Sequence, residues 1–500
     1  MRYYSTRNRA KYVTASETIL KGLAPDGGLF VPAGKLKAYP GSNLPAGRYQ
    51  EIAVEILTRF LGDFSPSEIE FAVSSAYSPD TFDHRAVAPL ISLSEQIYVL
   101  ELWHGPTSAF KDIALQILPH LLTIAAQKSG EDREIVILTA TSGDTGKSAL
   151  EGFRDVPGVK IFVYFPEKGV SEIQKLQMIT QEGGNVNVIA VRGNFDDTQS
   201  GVKQIFNDRY MNSQLKEAGY RLTSANSINW GRLLPQIVYY FSAYRQLISQ
   251  GAIKEGEKVN FVVPTGNFGN ILAGYYAGRL GLPVNRFICA ANRNNVLSDF
   301  INSGLYDKRR TLYNSHSPSM DILVSSNLER LLFELTGHDS ERIKAWMNQL
   351  TEEGHYRVDR ETLATLHKSF WSDYADDGET LQAIAGTYSE KKYLVDPHTA
   401  VGINVLDKYL KREKDPHLSV VLSTASPYKF TGSTIRALFK NSPFQDSSEL
   451  ELIKILARET EIPVPDNLAA LENKPALHRQ VINPADMPDH LRNTLLEDNS

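Results

Sequence analysis

A chain of 500 residues can bury a large core and has room for two or three domains. It is 42% hydrophobic and 22% charged, with a net charge of −5 and its signs interspersed, which argues against a nucleic-acid reader, and no apolar run reaches the length of a membrane span. One cysteine, Cys289, excludes an intramolecular disulfide and any multi-cysteine metal site, and in the apolar run 287–290 it reads as a buried, inert thiol. The charged start lacks an apolar signal core, so the expected compartment is a reducing cytoplasm.

In chain order, residues 1–92 read as a mostly helical region. Apolar residues recur at helical spacing over 50–60, and Ser65-Pro66-Ser67-Glu68 is a capping box with proline at the first helical position. Residues 97–102 read as a strand, and a helix is expected from about 113 into the 120s. From 134 onward strand and helix alternate. Strands are predicted at 134–140, 159–165, 186–191, 259–263 and 287–290, and helices at 145–154, 171–183, 195–212, 231–250 and 269–280. Near-continuous apolar strands joined by helices imply an α/β fold with parallel sheets covered on both faces. Residues 295–415 read as helical and polar, 418–422 as a late strand, and 441–500 as a helical tail interrupted by prolines.

Three segments carry chemistry. In His104-Gly105-Pro106-Thr107-Ser108-Ala109-Phe110-Lys111-Asp112, a turn and an apolar pair deliver one lysine to a helix start. Burial there lowers a lysine's pKa, and a neutral amine forms a Schiff base with a carbonyl; taken alone, the segment fits a snorkelling surface lysine better. Thr141-Ser142-Gly143-Asp144-Thr145-Gly146 and Gly266-Asn267-Phe268-Gly269-Asn270 overturn that preference. Each lies between a predicted strand and a predicted helix, where backbone N–H groups and a helix N-terminus face an anion, beyond the C-terminal ends of the strands. Gly146-Lys147-Ser148 resembles the end of a P-loop, but Thr141 stands where that loop needs glycine, so a nucleotide-binding switch is the lesser reading. Two anion sites and a Schiff-base lysine point to pyridoxal 5'-phosphate (PLP), with the 266–270 loop on its phosphate. A tight βα turn is the plain alternative for that loop.

These three motifs, in this order, resemble the threonine synthase family, in its longer bacterial and fungal branch. Supporting segments are 24–30, 224–232 and 423–430. The resemblance runs from the start to about residue 435, and the tail after about 440 shows none. It implies a fold-type-II, tryptophan-synthase-β-like enzyme with PLP on Lys111. The implied large PLP domain comprises 93–130 and 230–440, and a small mobile domain comprises 131–229, with 441–500 as a tail. It also implies conversion of O-phospho-L-homoserine and water to L-threonine and phosphate, and it places Thr424 at the pyridine nitrogen. Ser142, Gly143, Asp144 and Thr145 are expected at the substrate carboxylate or the cofactor's 3'-oxygen, with Asp144 where related enzymes often have asparagine. Ser227, Asn229, Arg232 and Lys175 are candidates for the substrate phosphate, although either cation could be a surface charge. His104 reads as a structural histidine, and Asp112 as favouring its helix N-terminus. No metal is expected, and the chain is expected to be a monomer or homodimer. The rivals are a PLP phospholyase and a serine or threonine dehydratase.

Overall fold

Apolar, β-branched runs form the strands, and they assemble into two parallel sheet units. The computed structural model describes residues 1–40, 43–439, 444 and 447–497. Strands are β1 (Tyr3–Ser5), β2 (Asn8–Val13), β3 (Phe30–Pro32), β4 (Leu90–Ser92), β5 (Ile97–Glu101), β6 (Glu134–Ala140), β7 (Val159–Pro166) and β8 (Val186–Val191). They continue with β9 (Tyr220–Thr223), β10 (Val259–Pro264), β11 (Val284–Ala291), β12 (Leu305–Asp307), β13 (His355–Arg357), β14 (Phe370–Tyr374), β15 (Ser419–Ser423) and β16 (Val481–Ile482).

The larger unit is a six-stranded sheet in the order β14-β11-β10-β15-β5-β4, parallel except for the edge strand β4. The smaller is a five-stranded parallel sheet, β16-β8-β7-β6-β9. β6, β7, β10 and β15 are buried along almost their whole length, as strands covered on both faces must be. The principal core joins the N-terminal helices, the helix Gln236–Ser249 and both sheets. The helix Pro397–Glu413 covers the other face of the larger sheet through Val401, Val405 and Leu406.

The first 92 residues are not simply helical. The helices Ala15–Lys21, Tyr49–Phe60 and Pro66–Ala76 are joined by an antiparallel sheet in the order β2-β1-β3. Ser65 and Glu68 form the expected capping box, with Pro66 at the first helical position. Two long predicted helices are broken. The stretch 195–212 divides into Phe195–Asn207 and Arg209–Glu217, because the Asp208 side chain caps the second helix through Met211 N. The stretch 231–250 divides into Trp230–Leu233 and Gln236–Ser249, with Pro235 at the break.

The C-terminal segment is more than a helical tail. β16 extends the smaller sheet by pairing with β8. The helix Met487–Glu497 buries Met487 and Leu491 in the core beside β6 and β7. Asn467 reaches the lysine segment: it accepts from Ser108 Oγ at 2.9 Å and donates to the Pro106 carbonyl at 2.7 Å. Among the described residues, no helix is long and apolar enough to cross a membrane, and no cluster of three His, Cys, Asp or Glu forms a metal site.

Candidate active site

Lys111 opens the short helix Lys111–Leu115, two residues earlier than the sequence pattern placed the helix, and a second helix, Leu118–Lys128, follows. Backbone bonds fix the segment against the end of β15. Phe110 N donates to the Thr424 carbonyl at 2.9 Å, and Ser426 N donates to the Ser108 carbonyl at 3.1 Å. The lysine and Thr424 are therefore neighbours by construction. Asp112 braces the turn from beneath, accepting from Thr107 N at 2.8 Å and from Thr107 Oγ1 at 2.7 Å. Burial raises its pKa, which those two donors oppose.

Asp144 is the first residue of the helix Asp144–Phe153. The turn before it needs glycine, because Gly143 has φ +135° and a Cβ there would lie 2.4 Å from the Gln174 amide carbon. Thr141 Oγ1 accepts from Gly143 N and Gly146 N at 3.0 and 2.8 Å, which closes the turn. Asp144 Oδ1 accepts from Lys429 Nζ at 2.8 Å and Gln174 Nε2 at 2.9 Å, and Oδ2 lies 3.5 Å from Lys111 Nζ. Burial would raise this carboxyl, but Lys429 and then Lys111 outweigh it and hold it far below the usual carboxylate range.

Lys111 is only 11% exposed. Burial pushes its amine below the ordinary lysine value; Asp144 opposes this, while Lys429 and Arg232 reinforce it. Arg232 is buried within the helix Trp230–Leu233, where burial lowers its pKa to about 10. Nη1 donates to the Ala225 carbonyl at 2.7 Å, and Nε is buried without a partner. No carboxylate pairs with Arg232 among the described residues. Two buried lysines thus share the Asp144 carboxylate, with the unpaired Arg232 guanidinium near Lys111, and such a site attracts an anion.

The 266–270 loop connects β10 to the helix Gly269–Arg279. Its carbonyls are engaged: Gly266 O accepts from Ser325 Oγ at 2.7 Å, and Asn267 O accepts from Asn327 N at 3.1 Å and Asn327 Nδ2 at 3.0 Å. Its amides from Gly266 to Asn270 have no acceptor among the described residues. Phe268 is held at φ +62°, an uncommon conformation for a bulky residue. Tyr239 and Tyr240 donate to Asn270 Oδ1 at 2.5 and 2.9 Å, leaving its Nδ2 buried and unpartnered. An orphaned donor beside a row of free amides at a helix start fits the phosphate of PLP.

The other nominated residues divide. The hydroxyls of Ser142, Thr145, Ser227 and Thr424 have no partner among the described residues, and Ser227 lies beside Gly269. Asn229 is engaged by the fold: its Oδ1 accepts from Gly231 N and its Nδ2 donates to the Ile19 carbonyl, each at 2.9 Å. Lys175 is half-buried and without a partner, about 100° round its helix from Gln174. His104 bridges Asp83 and Glu101 and stacks on Trp103. Lys147 pairs with Glu151 at 2.9 Å and with Gln181, so its amine is held inside the fold rather than offered to a nucleotide. Sequence reasoning missed Lys429, Gln174 and Ser319. Lys429 stands in the segment that nominated Thr424, but nothing local signals that it pairs with Asp144.

Comparison with known proteins agrees with this geometry. The families described as "Threonine synthase N terminus", "Pyridoxal-phosphate dependent enzyme" and "Threonine synthase, C-terminal" match residues 2–77, 82–369 and 399–488. The last match carries the likeness well past residue 435. Threonine synthase from Pseudomonas aeruginosa is 41% identical over 93% of this chain and 96% of its own length. Threonine synthase-like 1 from Homo sapiens is 41% identical over 88% of this chain, which spans 60% of that protein's length. The crystal structure of PLP-bound threonine synthase from Brucella melitensis is 36% identical, with a TM-score of 0.86 over 99% of each chain. A fold of type II, a buried lysine held against the Asp144 turn, and family matches along most of the sequence lead to one conclusion: the chain belongs to the threonine synthase family of pyridoxal-phosphate dependent enzymes.

Proposed function

We propose that the chain binds PLP at Lys111 and converts O-phospho-L-homoserine and water to L-threonine and phosphate. The observation that carries this reading is an excess of buried positive charge: Lys111 and Lys429 share Asp144, and Arg232 stands near Lys111 with no carboxylate paired to it among the described residues. An anionic cofactor and a phosphorylated substrate balance that excess, whereas the unphosphorylated substrate of a dehydratase does not supply the second phosphate.

When bound, PLP supplies an electron sink for the charge left as protons leave the amino-acid carbons. The amides of Gly266, Asn267, Phe268, Gly269 and Asn270, with Asn270 Nδ2, hold its phosphate, and the Thr424 hydroxyl meets its ring nitrogen. A neutral hydroxyl there leaves that nitrogen unprotonated and tempers the sink. Ser142, Gly143 and Thr145 take the substrate carboxylate. Asp144 faces the reacting amine with its charge already shared with Lys429. Lys111 Nζ, lowered by burial, removes the Cα proton; loss of a Cβ proton then supplies the electrons that break the Cγ–O bond, Cγ takes up a proton, water adds at Cβ, and Cα is reprotonated. Arg232, with Ser227, takes the substrate phosphate as it leaves Cγ; Lys175 is the reserve candidate, and Asn229 shapes the helix that carries Arg232. The two sheet units meet over this chemistry and exclude water until one molecule adds at Cβ.

The test is direct. The purified chain is supplied with PLP and O-phospho-L-homoserine, and threonine and phosphate are measured together. Equal yields support the reading. Phosphate with a keto acid and no threonine replaces it with a phospholyase.

A further inference from the structure

Lys429 has no task in the reaction as described, yet it is fully buried. It lies in the turn Pro427–Phe430 after β15, on the larger sheet unit. Its Nζ donates to the Thr107 carbonyl at 2.9 Å and pairs with Asp144 Oδ1 at 2.8 Å. Asp144 comes from the smaller sheet unit, and its other oxygen faces Lys111 at 3.5 Å. Gln174 Nε2 at 2.9 Å and Ser319 Oγ at 3.4 Å complete the shell of Asp144. A lysine this deep is costly unless a specific partner takes its charge.

We propose that Lys429 is a positioning residue for Lys111: it takes the larger share of Asp144's charge across the interface between the two sheet units, leaving the free Lys111 amine able to give up its proton. The inference rests on Lys111 being the reacting amine.

The groups facing Lys111 are Asp144, Lys429 and Arg232, with the Phe110 ring 4.8 Å away. Burial, Lys429 and Arg232 favour the neutral amine, and only Asp144 favours the ammonium. The distances show which lysine holds the carboxylate, 2.8 Å for Lys429 against 3.5 Å for Lys111. Without Lys429, Lys111 is the only cation left on Asp144. That pair would tighten, and an amine that keeps its proton cannot accept one from substrate.

The experiment uses the full chain stripped of PLP. Lysines are acetylated with acetic anhydride across a pH series, and the extent of reaction at Lys111 is read by mass spectrometry. Lys429→Met should raise the labelling midpoint of Lys111 by about one pH unit, and Asp144→Asn should lower it. The double variant should fall below Lys429→Met, because the carboxylate that retains the proton has gone. In the PLP-loaded enzyme, the acid limb of kcat should move to higher pH in Lys429→Met. A Lys429 that only supports the fold would shift the melting temperature and leave the midpoint in place. A Lys429→Met midpoint at or below wild type overturns the proposal, as does a double variant that tracks Lys429→Met. Should Lys429→Met not fold, an Asp144→Asn midpoint that fails to fall overturns it. Labelling without cofactor separates the two levels. If the midpoint shifts as expected in a chain that makes no threonine, this proposal stands and the functional reading falls.

Discussion

Gly266→Ala tests the phosphate cradle by sterics alone. A Cβ at Gly266 would stand 2.7 Å from the Ser319 carbonyl oxygen, whereas ordinary contact begins at 3.4 Å, so either the loop or the 318–320 turn must retreat by about 0.7 Å. Ser319 resists on two sides: its N–H donates to His398 Nε2 at 3.1 Å and its hydroxyl donates to Asp144 at 3.4 Å. Overpacking of this kind costs roughly 1–3 kcal/mol. If the loop yields, PLP affinity should fall roughly five- to a hundredfold. Gly269→Ala is the control, since its Cβ would meet nothing closer than Asn327 Nδ2 at 3.5 Å, and it should bind PLP within about twofold of wild type. Gly269→Asp uses the same space to place a carboxylate against the cofactor phosphate, at a cost on the order of several kcal/mol of binding. The assay titrates PLP into apoprotein and follows the violet absorbance of the bound cofactor, with urea melts of the apoproteins alongside. Equal affinity for Gly266→Ala, Gly269→Asp and wild type would remove the 266–270 loop from the site.

Lys111→Ala and Lys111→Arg should both abolish turnover with unchanged melting curves, because neither side chain forms an imine; activity near wild type in either would refute the lysine assignment. Arg232→Met keeps the buried stem but loses the charge, so KM for O-phospho-L-homoserine should rise by an amount equivalent to roughly 2–5 kcal/mol, while the cofactor absorbance stays put. His104 gives a pH test: burial alone would push it down, but the hydrogen bonds it donates to Asp83 and Glu101 prevail and hold it up at about 9. Its contribution is therefore complete below about pH 6.5 and is lost as pH rises through 9; it amounts to less than roughly 3 kcal/mol because the Asp83 side chain is 63% exposed and screened. Urea melts of His104→Gln should show a flatter decline from pH 7 to 10, and an unchanged slope would contradict the pairing.

The parts of the fold that were legible in sequence are those whose causes are local. β6, β7, β8 and β10 are near-continuous apolar runs, Ser65-Pro66-Ser67-Glu68 carries its own cap, and both glycine-rich turns lie where a strand hands over to a helix. What was missed depends on distant partners. β1 and β3 are three residues each and exist because Tyr3 pairs with Pro32 and Tyr4 with Val31. β16 is two residues long and finds β8 from the far end of the chain. Asp208 looks like any polar residue on a helix until its side chain caps the next one. Within the site, the turns announced themselves through glycine, but the charge balance did not. In the sequence Asp144 stands at a ligand-facing position where related enzymes often have asparagine; its pairing with Lys429 requires the fold.

That balance also explains why the site is divided between two sheet units. Asp144 belongs to the smaller unit, while Lys111, Lys429 and Arg232 belong to the larger, so neither unit alone holds a compensated set of charges. Brought together, the units still leave more cations than carboxylates in a buried space, and a phosphorylated ligand can supply the difference. The C-terminal segment reinforces the same junction from outside. Through β16 and the helix Met487–Glu497 it is built into the smaller unit, and through Asn467 it grips the Pro106 and Ser108 positions of the lysine loop. The residues that looked least informative in the sequence thus tie the loop bearing Lys111 to the unit bearing Asp144. The Asn467 tie and the Lys429 pair thus both bear on the junction where Lys111 and Asp144 stand 3.5 Å apart.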